Sequence, residues 1–330
     1  MQQNRQKIEG VFVIGRQHSG NTFLTRILGS TPDFFVDENE NSWFEFIPVI
    51  RQKKTAEEQA ALSTKHLLRG KPAVALKYQK QIENWLRQHP KASVYQLFQE
   101  SMNTVCRGEG KQHWVLKATS YIFYADEILR NCPDVKLIYI MRNPLDLTAS
   151  TKKRNPSKLD WLIATNIAWW KGVNIAAQLL KAYPDRFLIV QYETLVQGST
   201  EFDRIADFLG VELENDYSDM PVVNTSDQPY AVTQEKGLKR SRVYYFAKHL
   251  SKGQVYWALK LAGGEKHLRR YYPNIPLRKN VTLLDKFRGL QTFVWMSFLF
   301  IRKHFNIFSV YQLKRFQRRL SFTFFGNKRR

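Results

Sequence analysis

Cysteine is almost missing from this chain. Of 330 residues only Cys106 and Cys132 are cysteines, too few for a disulfide framework, and neither has His or Cys neighbours at metal-ligand spacing. A reducing compartment is therefore expected, with both thiols serving as small apolar residues. Long hydrophobic runs are missing too. The polar start MQQNRQKIEG passes directly into VFVIG, which leaves no apolar stretch for a signal peptide. The longest apolar run, FVWMSFLFI from Phe293 to Ile301, falls well short of the roughly 20 residues that cross a bilayer. The expected location is cytoplasmic, with at most a peripheral contact to a membrane. At 43% hydrophobic and 14% aromatic, the chain can still bury a full core, so disorder is not expected.

Acid is the third shortage, and it is local. Residues 231–330 hold 23 Lys and Arg against 3 Asp and Glu, while residues 1–230 hold 28 against 26. The net charge of +22 therefore belongs to the last third of the chain. No acid follows Asp285, and FNIFSVYQLKRFQRRLSFTFFGNKRR interleaves cations with aromatics. That pattern suits an anionic membrane surface at least as well as nucleic acid, and no specific nucleic-acid partner is expected. The expected organisation is a domain over 1–280 and a basic, aromatic-rich helical extension over 281–330.

Hydrophobic periodicity gives an α/β pattern. VFVIG (11–15) is a strand entering a glycine loop, and NTFLTRILG (21–29) has helical spacing. A strand begins after Asp33, and helices are expected over 56–68 and 93–105. WVLK (114–117) is a short strand and Tyr121–Arg130 a helix. VKLIYIM (135–141) is apolar enough for a strand covered on both faces. Pro144 fits the first turn of the helix that follows. A long helix over Asp160–Lys181, a strand over 187–193 and a helix over 201–209 complete an alternation that implies a parallel sheet flanked by helices.

One lysine is absent where it would count. From Gly15, GRQHSGNT nearly follows the nucleotide-binding pattern G-x-x-x-x-G-K-[ST], but Asn21 replaces the lysine that reaches the outer phosphates. No aspartate at a second strand end offers to hold Mg²⁺, and no metal is expected. The backbone N–H groups and helix dipole that cradle an anion remain. A second phosphate site is read at Arg142, at a strand exit, with Ser150 eight residues on: an arginine fork and a helix hydroxyl. Two separated sites point to a nucleotide phosphorylated in two places.

Three segments together resemble the family of sulfotransferases that use 3′-phosphoadenosine 5′-phosphosulfate (PAPS). VFVIGRQHSGNTFLTRILGSTPD resembles the family's 5′-phosphosulfate loop, KLIYIMRNPLDLTAS its 3′-phosphate segment, and RFLIVQYETLVQGSTEFDRIADFLGV its strand with Tyr-Glu and the helix after it. They stand in the family's order over roughly residues 10–230. The resemblance implies the P-loop-NTPase-like sulfotransferase fold and PAPS as co-substrate. It places Arg16, Gln17, His18, Ser19, Gly20, Asn21, Thr22 and Phe23 around the 5′-phosphosulfate, and Arg142 and Ser150 on the 3′-phosphate. Tyr192 stands where the family often has a tyrosine near the nucleotide, and Lys117 where it tends to have a lysine near the transferring group. The chain departs from the family at His18, where relatives usually have Arg or Lys, so leaving-group stabilisation shifts toward Lys117 or Arg16.

Transfer to a hydroxyl needs alignment and a general base. Some members use a histidine two residues after the lysine, but here that residue is Thr119. Others use a glutamate after the first helix, which makes Glu40 the expected base and Glu38 the alternative. Trp43, Phe44 and the segment between about 45 and 112 are candidates to line the acceptor pocket, where aromatics would suit a sugar face or an apolar aglycone, although such residues are more often core. A glutamate base is similar to that of sulfotransferases acting on carbohydrates and tyrosine, so the expected acceptor is a hydroxyl on a carbohydrate or glycolipid. Two other readings stay open on sequence: a nucleotide kinase or NTPase with a degenerate loop, and a membrane- or nucleic-acid-binding protein acting through its basic C-terminus.

Overall fold

A computed structural model describes residues 9–154, 161–213, 217, 221–223, 232–237, 240–277 and 280–305. In chain order the elements begin with β1 (Glu9–Gly15), α1 (Asn21–Ser30), β2 (Phe34–Glu40), α2 (Trp43–Ile50), α3 (Ala56–Leu67), α4 (Pro72–Lys77), α5 (Gln79–Gln88) and α6 (Val94–Gly108). Next come β3 (His113–Ala118), α7 (Ala125–Asn131), β4 (Val135–Met141), α8 (Pro144–Arg154), α9 (Ile163–Ala182), β5 (Phe187–Gln191), α10 (Tyr192–Leu195) and α11 (Ser199–Leu209). The chain continues through β6 (Pro221–Val223), β7 (Val232–Lys236), α12 (Phe246–His249), α13 (Lys252–Leu261), α14 (Glu265–Arg269) and α15 (Leu283–Phe305).

Five strands form one parallel sheet in the order β2-β3-β1-β4-β5. Its central strands are covered on both faces, which is why they read as continuous apolar runs. Alternate residues sort between two cores. Val11 and Val13 of β1, with Ile138 and Ile140 of β4, meet α1 and α11 through Leu24, Ile27, Phe202 and Ile205. Phe12 and Ile14, with Leu137 and Tyr139, face the larger cluster of α2, α6, α7 and α9. Trp43 and Phe44 lie wholly in that cluster, packed edge-on or tilted against Phe98, with Phe44 also edge-on to Tyr121. Of the two readings open for them, acceptor lining and core, the structure gives core.

The parallel α/β pattern agrees with the expected fold, and the differences are local. Residues 121–130 divide into a 3-10 turn over Tyr121–Phe123 and α7. β5 ends at Gln191, and Tyr192 opens α10 instead of continuing the strand. Asp160, the expected start of the long helix, and residues 306–330 of the extension lie outside the described residues. Burial pushes both thiols up to about 12, consistent with inert apolar residues.

Candidate active site

The C-terminal ends of all five parallel strands converge on one edge of the sheet, where open α/β folds bind ligands. β1 delivers the loop 16–20, β2 ends on Glu40, and β3 ends with Lys117 and Ala118 just before Thr119. β4 is followed at once by Arg142, and β5 by Tyr192.

The loop is held by its own asparagine. Asn21 Nδ2 donates to Gly15 O at 2.9 Å and to Arg16 O at 3.4 Å, so the residue in the missing lysine's place closes the turn. Gly20 has φ 99°, and a Cβ there would stand 2.9 Å from Tyr192 Cδ2. Only glycine meets both constraints. No side chain caps α1 and its first turn carries no acid, leaving the positive end of the helix facing the loop. Ser19 is buried, and its Oγ has no hydrogen-bond partner among the described residues. A buried hydroxyl without a protein partner is free to bond a ligand or a water. Gln17 is exposed on the loop, and Phe23 is half-buried against the core beneath α1.

Arg142 ties three segments together. Its Nη1 donates to His18 O at 2.6 Å, its Nη2 to Arg242 O at 2.7 Å, and its guanidinium lies 4.3 Å from the Tyr192 ring centroid. Its Nε is buried without a partner among the described residues. The next residue, Asn143, caps α8 by accepting from Asp146 N at 2.9 Å. Asn143 also donates through N and Nδ2 to Glu193 Oε1, each at 2.9 Å. Asp146 accepts from Tyr244 N and Phe246 N, both at 2.8 Å. These bonds hold the segment around residue 242 beside Arg142. Ser150 is buried further along α8.

On the other side of the loop, Lys117 Nζ donates to Thr22 Oγ1 at 3.1 Å, and Glu40 pairs with Lys117 in the strand register. Glu40 Oε1 accepts from both Thr119 N and Thr119 Oγ1 at 2.6 Å. Burial pushes the Glu40 carboxyl above its usual range, against the pull of Thr119 and of Lys117. Burial likewise lowers Lys117, while Glu40, Glu38 and Asp37 oppose that shift. Glu38 forms an ion pair with Arg26 of α1 at 2.6 Å, so its carboxylate is already engaged outside the Glu40–Thr119 contact.

His18 has a positive φ of 70°. Its imidazole is lowered to about 3, first by burial and then by Arg154, Arg142 and Arg16. Around neutral pH it is an uncharged ring among cations. Arg154, at the end of α8, also depresses Lys117. Sequence reasoning missed Arg154: in KKR it reads as one of three cations at a helix C-terminus, although it follows Ser150 by one helical turn. Thr119 stands out in sequence only as a residue that is not histidine, and its contact with Glu40 has no sequence signal beyond position. No group of three or more His, Cys, Asp or Glu side chains placed to hold a metal occurs among the described residues.

The arrangement is an anion cradle beside a half-buried carboxylate. A family model described as "Sulfotransferase family" matches residues 10–215. No curated protein matches the chain. Among solved structures, the chain is similar to the sulfotransferase domain of the Synechococcus PCC 7002 olefin synthase, at 16% identity and TM-score 0.47, covering 89% of this chain and 98% of that one. It is also similar to a sulfotransferase from Alicyclobacillus acidocaldarius, at 18% identity and TM-score 0.36, covering 79% and 98%. Retinol dehydratase in complex with androsterone and inactive cofactor PAP matches at 14% identity and TM-score 0.39, covering 82% of each chain. The family match spans the loop, Glu40, Lys117, Arg142 and Tyr192 together, and by that match the chain belongs to the sulfotransferase family.

Proposed function

We propose that this chain transfers a sulfuryl group from PAPS to an acceptor hydroxyl by in-line displacement, within a catalytic unit spanning 1–280. The observation that carries the reading is the convergence of Glu40, Lys117 and Thr22 beside the loop, with Lys117 bonded to Thr22 and in register with Glu40. The loop amides, Ser19 Oγ and the end of α1 cradle the 5′-phosphosulfate. Arg142 and Ser150 take the 3′-phosphate, where the unpaired Arg142 Nε offers a donor. Tyr192 packs beside both Gly20 and Arg142. A ligand with phosphates at two places and no γ-phosphate fits a loop in which Asn21 serves the backbone and no lysine reaches outward.

Glu40 accepts the proton of the acceptor hydroxyl as its oxygen bonds to sulfur and the bond from sulfur to the phosphate oxygen breaks. Lys117 donates to that departing oxygen, and the charge it neutralises appears only as the bond opens, which is where electrostatic stabilisation accelerates a reaction. Thr119 is a positioning residue. Thr119→Val removes one of two donors to Glu40, so the acid limb of the kcat/KM profile moves to higher pH. Thr119→Ser restores the parent profile. An unshifted limb in Thr119→Val would remove Thr119 from the mechanism.

Thermal denaturation tests the donor. 3′,5′-Adenosine bisphosphate should raise the midpoint, with stabilisation of about 2.7 kcal/mol at a hundredfold excess over Kd, and ATP with Mg²⁺ should not. The reverse result overturns the reading and restores the degenerate kinase or NTPase. For the acceptor we adopt a carbohydrate or glycolipid hydroxyl, supported by a carboxylate in the base position. Sulfur-labelled PAPS offered with saccharide, lipid and peptide pools reads the class directly.

A further inference from the structure

Nine large hydrophobic side chains are exposed among the described residues, and six of them lie on α15: Leu283, Leu284, Phe287, Val294, Trp295 and Phe298. None is used by the site at the strand ends. The opposite face of α15 is fixed against α13. A Cβ on Gly253 would stand 2.0 Å from Asp285 O, and one on Gly289 would stand 2.5 Å from Gly253 O, so the two helices cross with backbones in contact. Phe293 stacks on Trp257 at 4.9 Å and 17°, and Trp257 Nε1 donates to Lys286 O at 3.2 Å. Met296 is buried. Residues 289, 293 and 296 are therefore the inward row, and that rotation leaves the six apolar side chains outward.

At about 100° per residue the outward positions fill an arc of roughly 120°. Arg288 stands about 20° beyond one edge and Lys286 about 60° beyond the other. An apolar stripe of that width normally faces a core, but here it is exposed, with Trp295 and Phe298 stacked on each other at 6.1 Å. Contiguous exposed apolar surface rimmed by charge marks a binding face. Charge identifies what it binds. Residues 281–330 hold 11 Lys and Arg against Asp285 alone, so a second copy of this chain would bring like charges together, whereas anionic headgroups would complement them. No helix among the described residues is long and apolar enough to cross a membrane, which leaves a helix lying in the interface.

We infer that α15 docks this enzyme on an anionic lipid surface, its face of Leu283, Leu284, Phe287, Val294, Trp295 and Phe298 entering the headgroup boundary. The inference is independent of the donor's identity. It gives α15 the geometry of an in-plane amphipathic helix, held at a fixed rotation by the glycine crossing to α13.

The test is sedimentation of the full chain with vesicles of phosphatidylcholine alone and of phosphatidylcholine with about one third phosphatidylglycerol. The parent chain should bind the anionic vesicles and release them at high salt. W295S/F298S should bind them about tenfold or more weakly, since both side chains lose their burial in lipid. Its melting midpoint should equal or exceed the parent's, because these side chains are 58% and 56% exposed. Three results overturn the proposal: a parent that ignores anionic vesicles, a variant that binds them as well as the parent does, or a parent dimer that the substitutions dissociate.

Discussion

Glu40→Gln should lower kcat by about 10²- to 10⁴-fold, the range expected when a general base is lost, while affinity for 3′,5′-adenosine bisphosphate stays near the parent value. The separation follows from geometry, because Glu40 ends β2, whereas the loop and Arg142 follow β1 and β4. Glutamine keeps the oxygen that accepts from Thr119 and cannot take a proton. In the parent, kcat/KM should fall below the raised pKa of Glu40, with an acid limb above the ordinary 4.5. Stability should move the other way. A carboxyl whose folded pKa is raised contributes most below its unfolded value, and that contribution is lost as pH rises through the folded value. At pH 7 the parent therefore carries a disfavoured, half-buried carboxylate that Glu40→Gln lacks, and the variant should melt higher. The gap should close as pH falls toward 4.5. A variant with full turnover at saturating donor removes Glu40 as the base, and one that melts lower at pH 7 refutes the account of its burial.

The sheet and loop were legible because their signals are local. VFVIG and VKLIYIM are covered on both faces and say so in composition, and the Gly15 to Gly20 spacing states the turn before α1. Arg142 could be found from its place after an apolar strand. Its partners could not, since His18 O lies 124 residues away and Arg242 O 100. Asn21 in sequence is only the absence of a lysine, and its bonds to Gly15 and Arg16 follow from the fold of the loop. Trp43 and Phe44 stay open in sequence for a related reason. Aromatics after a candidate base can line a ligand but are more often core, and burial, which periodicity cannot fix over two residues, puts them in the core. α15 was foreshadowed by its basic, aromatic composition, but which of its faces is inward depends on Gly253 and Gly289, residues unremarkable in sequence.

Lys117→Met should lower kcat by about 10²- to 10³-fold, the usual cost of removing one donor that meets developing charge, whereas His18→Asn should stay within about tenfold of the parent. Relatives' permanent charge at position 18 would favour the opposite order. Three features of this chain reverse it. His18 is lowered to about 3 by burial and by Arg154, Arg142 and Arg16, so its ring brings no charge to the site. Its carbonyl is occupied by Arg142, a backbone contact that the His18→Asn variant retains, and asparagine tolerates the positive φ better than most residues. Lys117 instead combines an ammonium group with a bond to Thr22 at 3.1 Å and three carboxylates that oppose its desolvation. Methionine keeps much of the stem's volume and removes the charge, so the comparison isolates electrostatics from packing. If His18→Asn proves the more damaging change at saturating donor, the leaving oxygen is served by the imidazole, and bound anion must raise that ring's pKa far enough to protonate it.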